Sequence, residues 1–164
     1  MERIESVHSH EEENEDIKVS LNKINYVEDF TELDDYIRFV GDSEEVDMGD
    51  CLRLVKDDYL TAYTYGANPC VSGIIQTNQD KLYMFHSVGD ELTEEQKERF
   101  QDAKNIIIGG SSKVLENLNA EFKNKNIKTI WPPSDSHDFN IVFVKEKNEF
   151  GVKPGLYYCY ERYD

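Results

Sequence analysis

Basic side chains are scarce in this sequence. Its 164 residues hold 18 Lys and Arg against 34 Asp and Glu, a formal charge of −16 with the four histidines neutral. Binding nucleic acid through its phosphates needs clustered Lys and Arg that the chain does not supply, so a nucleic-acid partner is not expected. Cysteine is rare too. Cys51, Cys70 and Cys159 are odd in number, irregularly spaced and without C-x-x-C. That pattern argues against a disulfide framework and a zinc ribbon, and it fits a reducing compartment. No apolar run approaches the roughly 20 residues that cross a bilayer. The opening MERIESVHSHEEENED lacks the apolar stretch of a signal peptide. No membrane span is expected; a soluble, cytoplasmic monomer without Sec export is. EF-hand loops and H-E-x-x-H helices are also missing, which leaves metal catalysis without a carrier.

What is present is an aromatic supply, 10 Tyr and 8 Phe beside a single Trp, enough for one core in a chain of this length. The charge is unevenly spread. Residues 1–50 hold 17 acidic and 4 basic side chains, a net −13, whereas residues 51–164 hold 17 and 14, a net −3. Residues 1–16, with Glu11, Glu12, Glu13, Glu15 and Asp16, have almost nothing to bury and read as a disordered acidic tail. Its His8 and His10 form an H-x-H pair with no third ligand nearby, so two solvated histidines are expected rather than a metal site. Residues 17–164 read as a single domain with an acidic N-terminal extension over 17–50.

Hydrophobic periodicity gives the elements. Ile17, Val19 and Leu21 alternate as in a short strand; Phe30, Leu33, Tyr36, Ile37 and Val40 recur at helical spacing, with Thr31 and Asp34 placed for a capping box and Gly41 as the stop. Residues 42–50 read as an acidic loop. Segments 51–56, 58–65, 70–77 and 81–86 are dense in Tyr, Val, Ile and Leu, and antiparallel strands joined by hairpins are expected, with a turn at Asn78–Asp80. Thr93 with Gln96 caps a helix to about Ala103. A strand at Ile106–Ile108, a helix with the stripe Val114, Leu115, Leu118 and Phe122, and strands near 127–131, 139–144 and 156–160 complete the chain. The whole predicts an α+β fold, a largely antiparallel, sandwich-like sheet core covered by two or three helices.

Several groups of residues bear on chemistry. Gly109-Gly110-Ser111-Ser112-Lys113 lies between a strand and a helix but matches neither G-x-x-x-x-G-K-[ST] nor G-x-G-x-x-G. It reads as a tight turn in which Gly permits close packing and Ser112 caps the helix. The pairs Asp34-Asp35, Glu44-Glu45 and Asp57-Asp58 lie in polar surroundings and read as solvated faces. The remaining constellation is Thr64-Tyr65-Gly66-Ala67-Asn68-Pro69-Cys70-Val71 followed, sixteen residues after the cysteine, by His86. A cysteine within reach of an imidazole can exist as thiolate, which is the nucleophile. Spacing alone favours a packed thiol and a histidine that satisfies a backbone group.

The pattern T-x-G-x-x-x-C-V, then a β-hairpin, then a histidine resembles the signature of the chemoreceptor glutamine deamidase family (CheD). Ala103-Lys104-Asn105-Ile106-Ile107-Ile108-Gly109-Gly110-Ser111, a helix, and Asn126-Ile127-Lys128-Thr129-Ile130 are similar in order and type to that family's later strand, helix and strand. The likeness covers roughly residues 52–160, and the same Cys–His core occurs in deamidase toxins of the cytotoxic necrotizing factor type. The resemblance implies Cys70 as nucleophile, His86 as general base, Thr64 as the residue that orients the imidazole, and backbone N–H groups of Cys70 and Val71 for the oxyanion. It implies hydrolysis of a glutamine carboxamide on a protein substrate to glutamate, without metal or organic cofactor, in a bacterial cytoplasm or, for an effector or toxin, in a host cytosol. Two other readings stand beside it. One is a non-catalytic acidic module of the immunity or inhibitor kind; the other is a papain-like use of Cys70 with His137 and Asp138 or Asp135.

Overall fold

The computed structural model describes residues 21–28, 31–39, 43–55, 61–145 and 151–162. The expected tail over 1–16, the strand at 17–21 apart from Leu21, and the Asp57-Asp58 pair lie outside them.

The described residues form ten strands and three helices, an α+β fold dominated by sheet. The strands are β1 (Ile24–Tyr26), β2 (Ser43–Glu45), β3 (Cys51–Leu54), β4 (Thr61–Ala67), β5 (Val71–Thr77), β6 (Leu82–His86), β7 (Ala103–Gly110), β8 (Ile127–Ile130), β9 (His137–Val144) and β10 (Gly155–Arg162). The helices are α1 (Thr31–Phe39), α2 (Glu94–Gln101) and α3 (Ser112–Glu121). One five-stranded sheet has the order β1-β10-β9-β4-β2 and the other β3-β6-β5-β7-β8. Most pairs are antiparallel, while β1–β10, β2–β4 and β7–β8 are parallel.

Alternation along the strands sorts the side chains into layers. Ile74 of β5, Leu82 and Met84 of β6 and Ile107 of β7 meet Ala62, Phe139, Ile141, Phe143 and Leu156 of the first sheet, and this forms the core between the sheets. The opposite face of the second sheet, with Val71, Ile75, Phe85, Ile106 and Ile108, is covered by Phe100 of α2 and by Val114, Leu115 and Leu118 of α3. The outer face of the first sheet, with Val142, Val144 and Cys159, is covered by Leu33 and Ile37 of α1. Strands buried on both faces read as continuous apolar runs, which is why Ile106–Ile108 shows no alternation in sequence.

Three expectations change. The stretch read as an acidic loop contains β2, which pairs parallel with β4 and is followed by Val46, only 2% exposed; two glutamates concealed a strand whose anchor lies just past them. Consecutive strands β3 and β4 do not form a hairpin. They belong to different sheets, as do β4 and β5, and only β5–β6 turns back at 78–80 as expected. Finally, the N-cap of α3 is Ser111, whose side chain makes no capping hydrogen bond, rather than Ser112. The cap of α2 is as read: Thr93 and Gln96 form a capping box.

Candidate functional site

Thr64 lies on β4 two residues beyond Ala62, so it points from the first sheet into the space between the sheets. His86 ends β6 two residues beyond Met84 and points into the same space from the second sheet. Their Oγ1 and Nδ1 atoms are 2.7 Å apart, in a buried hydrogen bond that joins the two sheets. If Nδ1 carries the proton and donates to Thr64, Nε2 is left as the basic nitrogen.

Thr64 is held by a distortion in its strand. Between Thr64 and Ala67 the β4–β9 register shifts, with Thr64 opposite Ile141 and Ala67 opposite Phe139, so β4 contains one extra residue. Gly66, with φ +74°, takes up the bend, and its N–H donates to Asn140 Oδ1 at 2.8 Å. Asn140 in turn donates from Nδ2 to the Glu161 carboxylate. Nothing in the pattern of β9 marks Asn140 as more than an interruption, so this support escapes a sequence reading.

The backbone of His86 is clamped as firmly. Its carbonyl accepts from Gly49 N at 2.7 Å and from Gln96 Nε2 at 2.9 Å, and its N–H donates to Asp50 O at 3.3 Å. Gln96 Nε2 also donates to Asp50 O, and Gln96 Oε1 accepts from Thr93 N. Gln96, the capping-box partner of Thr93 in the first turn of α2, therefore also fixes the end of the histidine strand. The cap was legible; this second use was not.

Cys70 precedes β5 after the cis Asn68–Pro69 bond and is 3% exposed. Ser72 is the register partner of His86, and Cys70, two residues earlier, falls on that same face and packs in the core between the sheets. The Cys70 carbonyl accepts from Ser111 N at 3.1 Å. The Val71 N–H, expected to face an oxyanion, donates to Ser87 Oγ at 2.9 Å, and Ser87 Oγ donates to Gly89 O at 2.8 Å. Among the described residues the Cys70 N–H donates to no group, and no hydrogen bond joins the Cys70 thiol to His86.

Burial pushes His86 below the usual histidine range, with the Asp47 carboxylate opposing that shift. Burial also pushes the Cys51 and Cys159 thiols up to about 12, which leaves both protonated and unreactive at neutral pH.

No known family model matches the chain, and no curated protein matches it.

The remaining candidates are placed elsewhere. His137 opens β9, with Nδ1 2.8 Å from Ser134 Oγ, and it lines a pocket of about 220 Å³ with Asn68, Ser111 and Lys113 at the start of α3. Asp34 is paired with Arg38 at 3.1 Å and accepts from Tyr65 OH at 3.4 Å; Glu44 and Glu45 are exposed. The pair His8 and His10 lies outside the described residues. Among the described residues no group of three or more His, Cys, Asp or Glu is arranged to hold a metal ion. No described helix is long and apolar enough to cross a membrane.

Proposed function

We propose that this protein is a cysteine-dependent protein-glutamine deamidase of the kind its sequence resembles. The observation that carries the reading is the buried Thr64–His86 hydrogen bond between the sheets, with Cys70 on the face of the second sheet that bears His86. Orienting an imidazole through Nδ1 frees Nε2 to take the thiol proton. The Cys70 thiolate adds to the carboxamide carbon of a glutamine, and the Cys70 N–H, a donor without another acceptor among the described residues, meets the developing oxyanion. The C–N bond breaks as His86 delivers its proton to the departing ammonia. Water then adds to the thioester carbonyl and gives a proton to His86, the C–S bond breaks, and glutamate leaves. The chain works as a monomer on proteins that present an exposed Gln, in a bacterial cytoplasm or, as an effector or toxin, in a host cytosol. Metal, organic cofactor and nucleic acid have no part in the cycle.

The near-complete burial of Cys70 and its lack of a hydrogen bond to His86 favour a second reading, a non-catalytic acidic module in which Cys70 is a packed thiol. Two experiments separate them. Bacterial and eukaryotic lysates incubated with the protein should show particular glutamines converted to glutamate, a gain of about one mass unit with release of ammonia, and Cys70→Ser should abolish the change because an unassisted serine is the weaker nucleophile. Iodoacetamide at about pH 6.5, below the ~8.5 of a free thiol, should label Cys70 ahead of Cys51 and Cys159. Identical glutamate patterns from wild type and Cys70→Ser, with no preference for Cys70, would overturn the deamidase and make the binding module the better account.

A further inference from the structure

Ser72 is fully buried, and no protein group among the described residues bonds its hydroxyl. Native interiors rarely leave a hydroxyl in that state, and where they do the group often serves a water or a reaction. Its surroundings indicate which. Ser87 N donates to Val71 O at 2.8 Å, so Val71 and Ser87 are a hydrogen-bonded pair of the β5–β6 ladder. The adjacent pair, Ser72 and His86, is therefore of the closer, non-hydrogen-bonded type, in which facing side chains approach most nearly. Cys70 immediately precedes this strand, two residues before Ser72, and packs in the same core between the sheets. Thr64 occupies Nδ1 of the imidazole, which leaves Nε2 as its only other polar atom.

We infer that Ser72 Oγ is a further catalytic group, which together with His86 Nε2 holds the water that hydrolyses the Cys70 thioester. A water in a buried site needs two or more polar partners, and Ser72 and His86 are cross-strand partners on the face of the second sheet towards which Cys70 also packs. In this step one water O–H bond breaks and its proton goes to His86 Nε2. The oxygen forms a bond to the thioester carbon, and the C–S bond breaks with its electron pair returning to Cys70. Ser72 neither gains nor loses a proton overall; its hydroxyl accepts from and orients the water. The inference rests on the cysteine nucleophile proposed above, but it concerns deacylation alone.

The probe is para-nitrophenyl acetate, which acetylates a reactive thiol and releases para-nitrophenolate. Wild type should give a burst of nitrophenolate equal to the enzyme present, followed by slower turnover, and intact mass should show acetyl on Cys70 during turnover. Ser72→Ala should keep the burst and slow the turnover by roughly tenfold or more, with acetyl-enzyme accumulating. Its melting temperature should equal or exceed that of wild type, because the hydroxyl has no protein partner among the described residues to lose; a structural hydroxyl would lower it. Turnover within about twofold of wild type after a normal burst, or a lowered melting temperature with burst and turnover slowed alike, overturns the role of Ser72 and leaves the nucleophile standing. A wild type without any burst overturns the nucleophile, and Ser72 with it.

Discussion

Thr64 and His86 come from different sheets, yet Oγ1 of one and Nδ1 of the other are 2.7 Å apart and both side chains are buried. That one bond ties the orientation of the imidazole to the packing of the two sheets. Thr64→Val keeps the shape and deletes the hydroxyl, so a buried ring nitrogen loses its partner at a cost of about 1–3 kcal/mol. Urea unfolding should register that loss, and Thr64→Ser should recover most of it. Deamidation by Thr64→Val should be reduced rather than abolished, since the nucleophile and base remain. A Val variant as stable as wild type would show that the bond does not couple the sheets.

The titration of His86 follows from its burial. Its folded pKa lies below the unfolded value of about 6.5. As the pH falls through that unfolded value, the unfolded chain takes up a proton that the folded protein refuses. The contribution of His86 to stability is therefore constant above about pH 6.5 and is lost progressively as the pH falls from there towards the folded pKa. An NMR titration of the His86 ring should give a midpoint under 6.5. Asp47→Asn should move it lower still, because the Asp47 carboxylate is the charge that opposes the effect of burial. An unmoved midpoint in that variant would remove Asp47 from the account.

The helix α1 supplies a direct packing test. Leu33 and Ile37, 4% and 7% exposed, cover Val142, Val144 and Cys159 on the outer face of the first sheet. Ile37→Ala should cost about 2–5 kcal/mol by lost burial and a residual cavity. Thermal melts that barely change would make α1 an appendage to the domain rather than part of its core.

Element types were legible where one physical signal dominated. The stripe of α3, the capping box at Thr93 and Gln96, and the β5–β6 turn at 78–80 are local patterns, and the structure places each as expected. Partner choice was not legible, because β4 is flanked in sequence by β3 and β5 yet hydrogen-bonds to β9 and β2. Nothing in residues 51–77 encodes a change of sheet, which depends on the summed burial of both faces. The triad candidates came from spacing and resemblance. Their supports, Gln96 and Asn140, are polar residues that matter only because they are buried, and burial arises only once the sheets are assembled. Gly109-Gly110 stood between these cases. Close packing was the expectation, but which backbone it admits is a tertiary fact.

That backbone is Cys70. A Cβ placed on Gly110 would lie 2.4 Å from the Cys70 carbonyl oxygen and 2.8 Å from Val71 Cα, and the residue has φ +133°. Both clashes are with main chain, so no side chain can swing aside. Gly110→Ala must separate the end of β7 from the Cys70 turn, at the expense of the Ser111 N to Cys70 O hydrogen bond. Gly66 makes the control. Its φ is +74°, but a Cβ there meets nothing within 4 Å, so Gly66→Ala carries only the left-handed backbone penalty of about 1–2 kcal/mol. Gly110→Ala should therefore be distinctly less stable than Gly66→Ala and should change the rate at which iodoacetamide labels Cys70, while Gly66→Ala leaves that rate near wild type. Equal melting temperatures and equal labelling in the two variants would mean that Cys70 is positioned by its own turn alone, without support from β7.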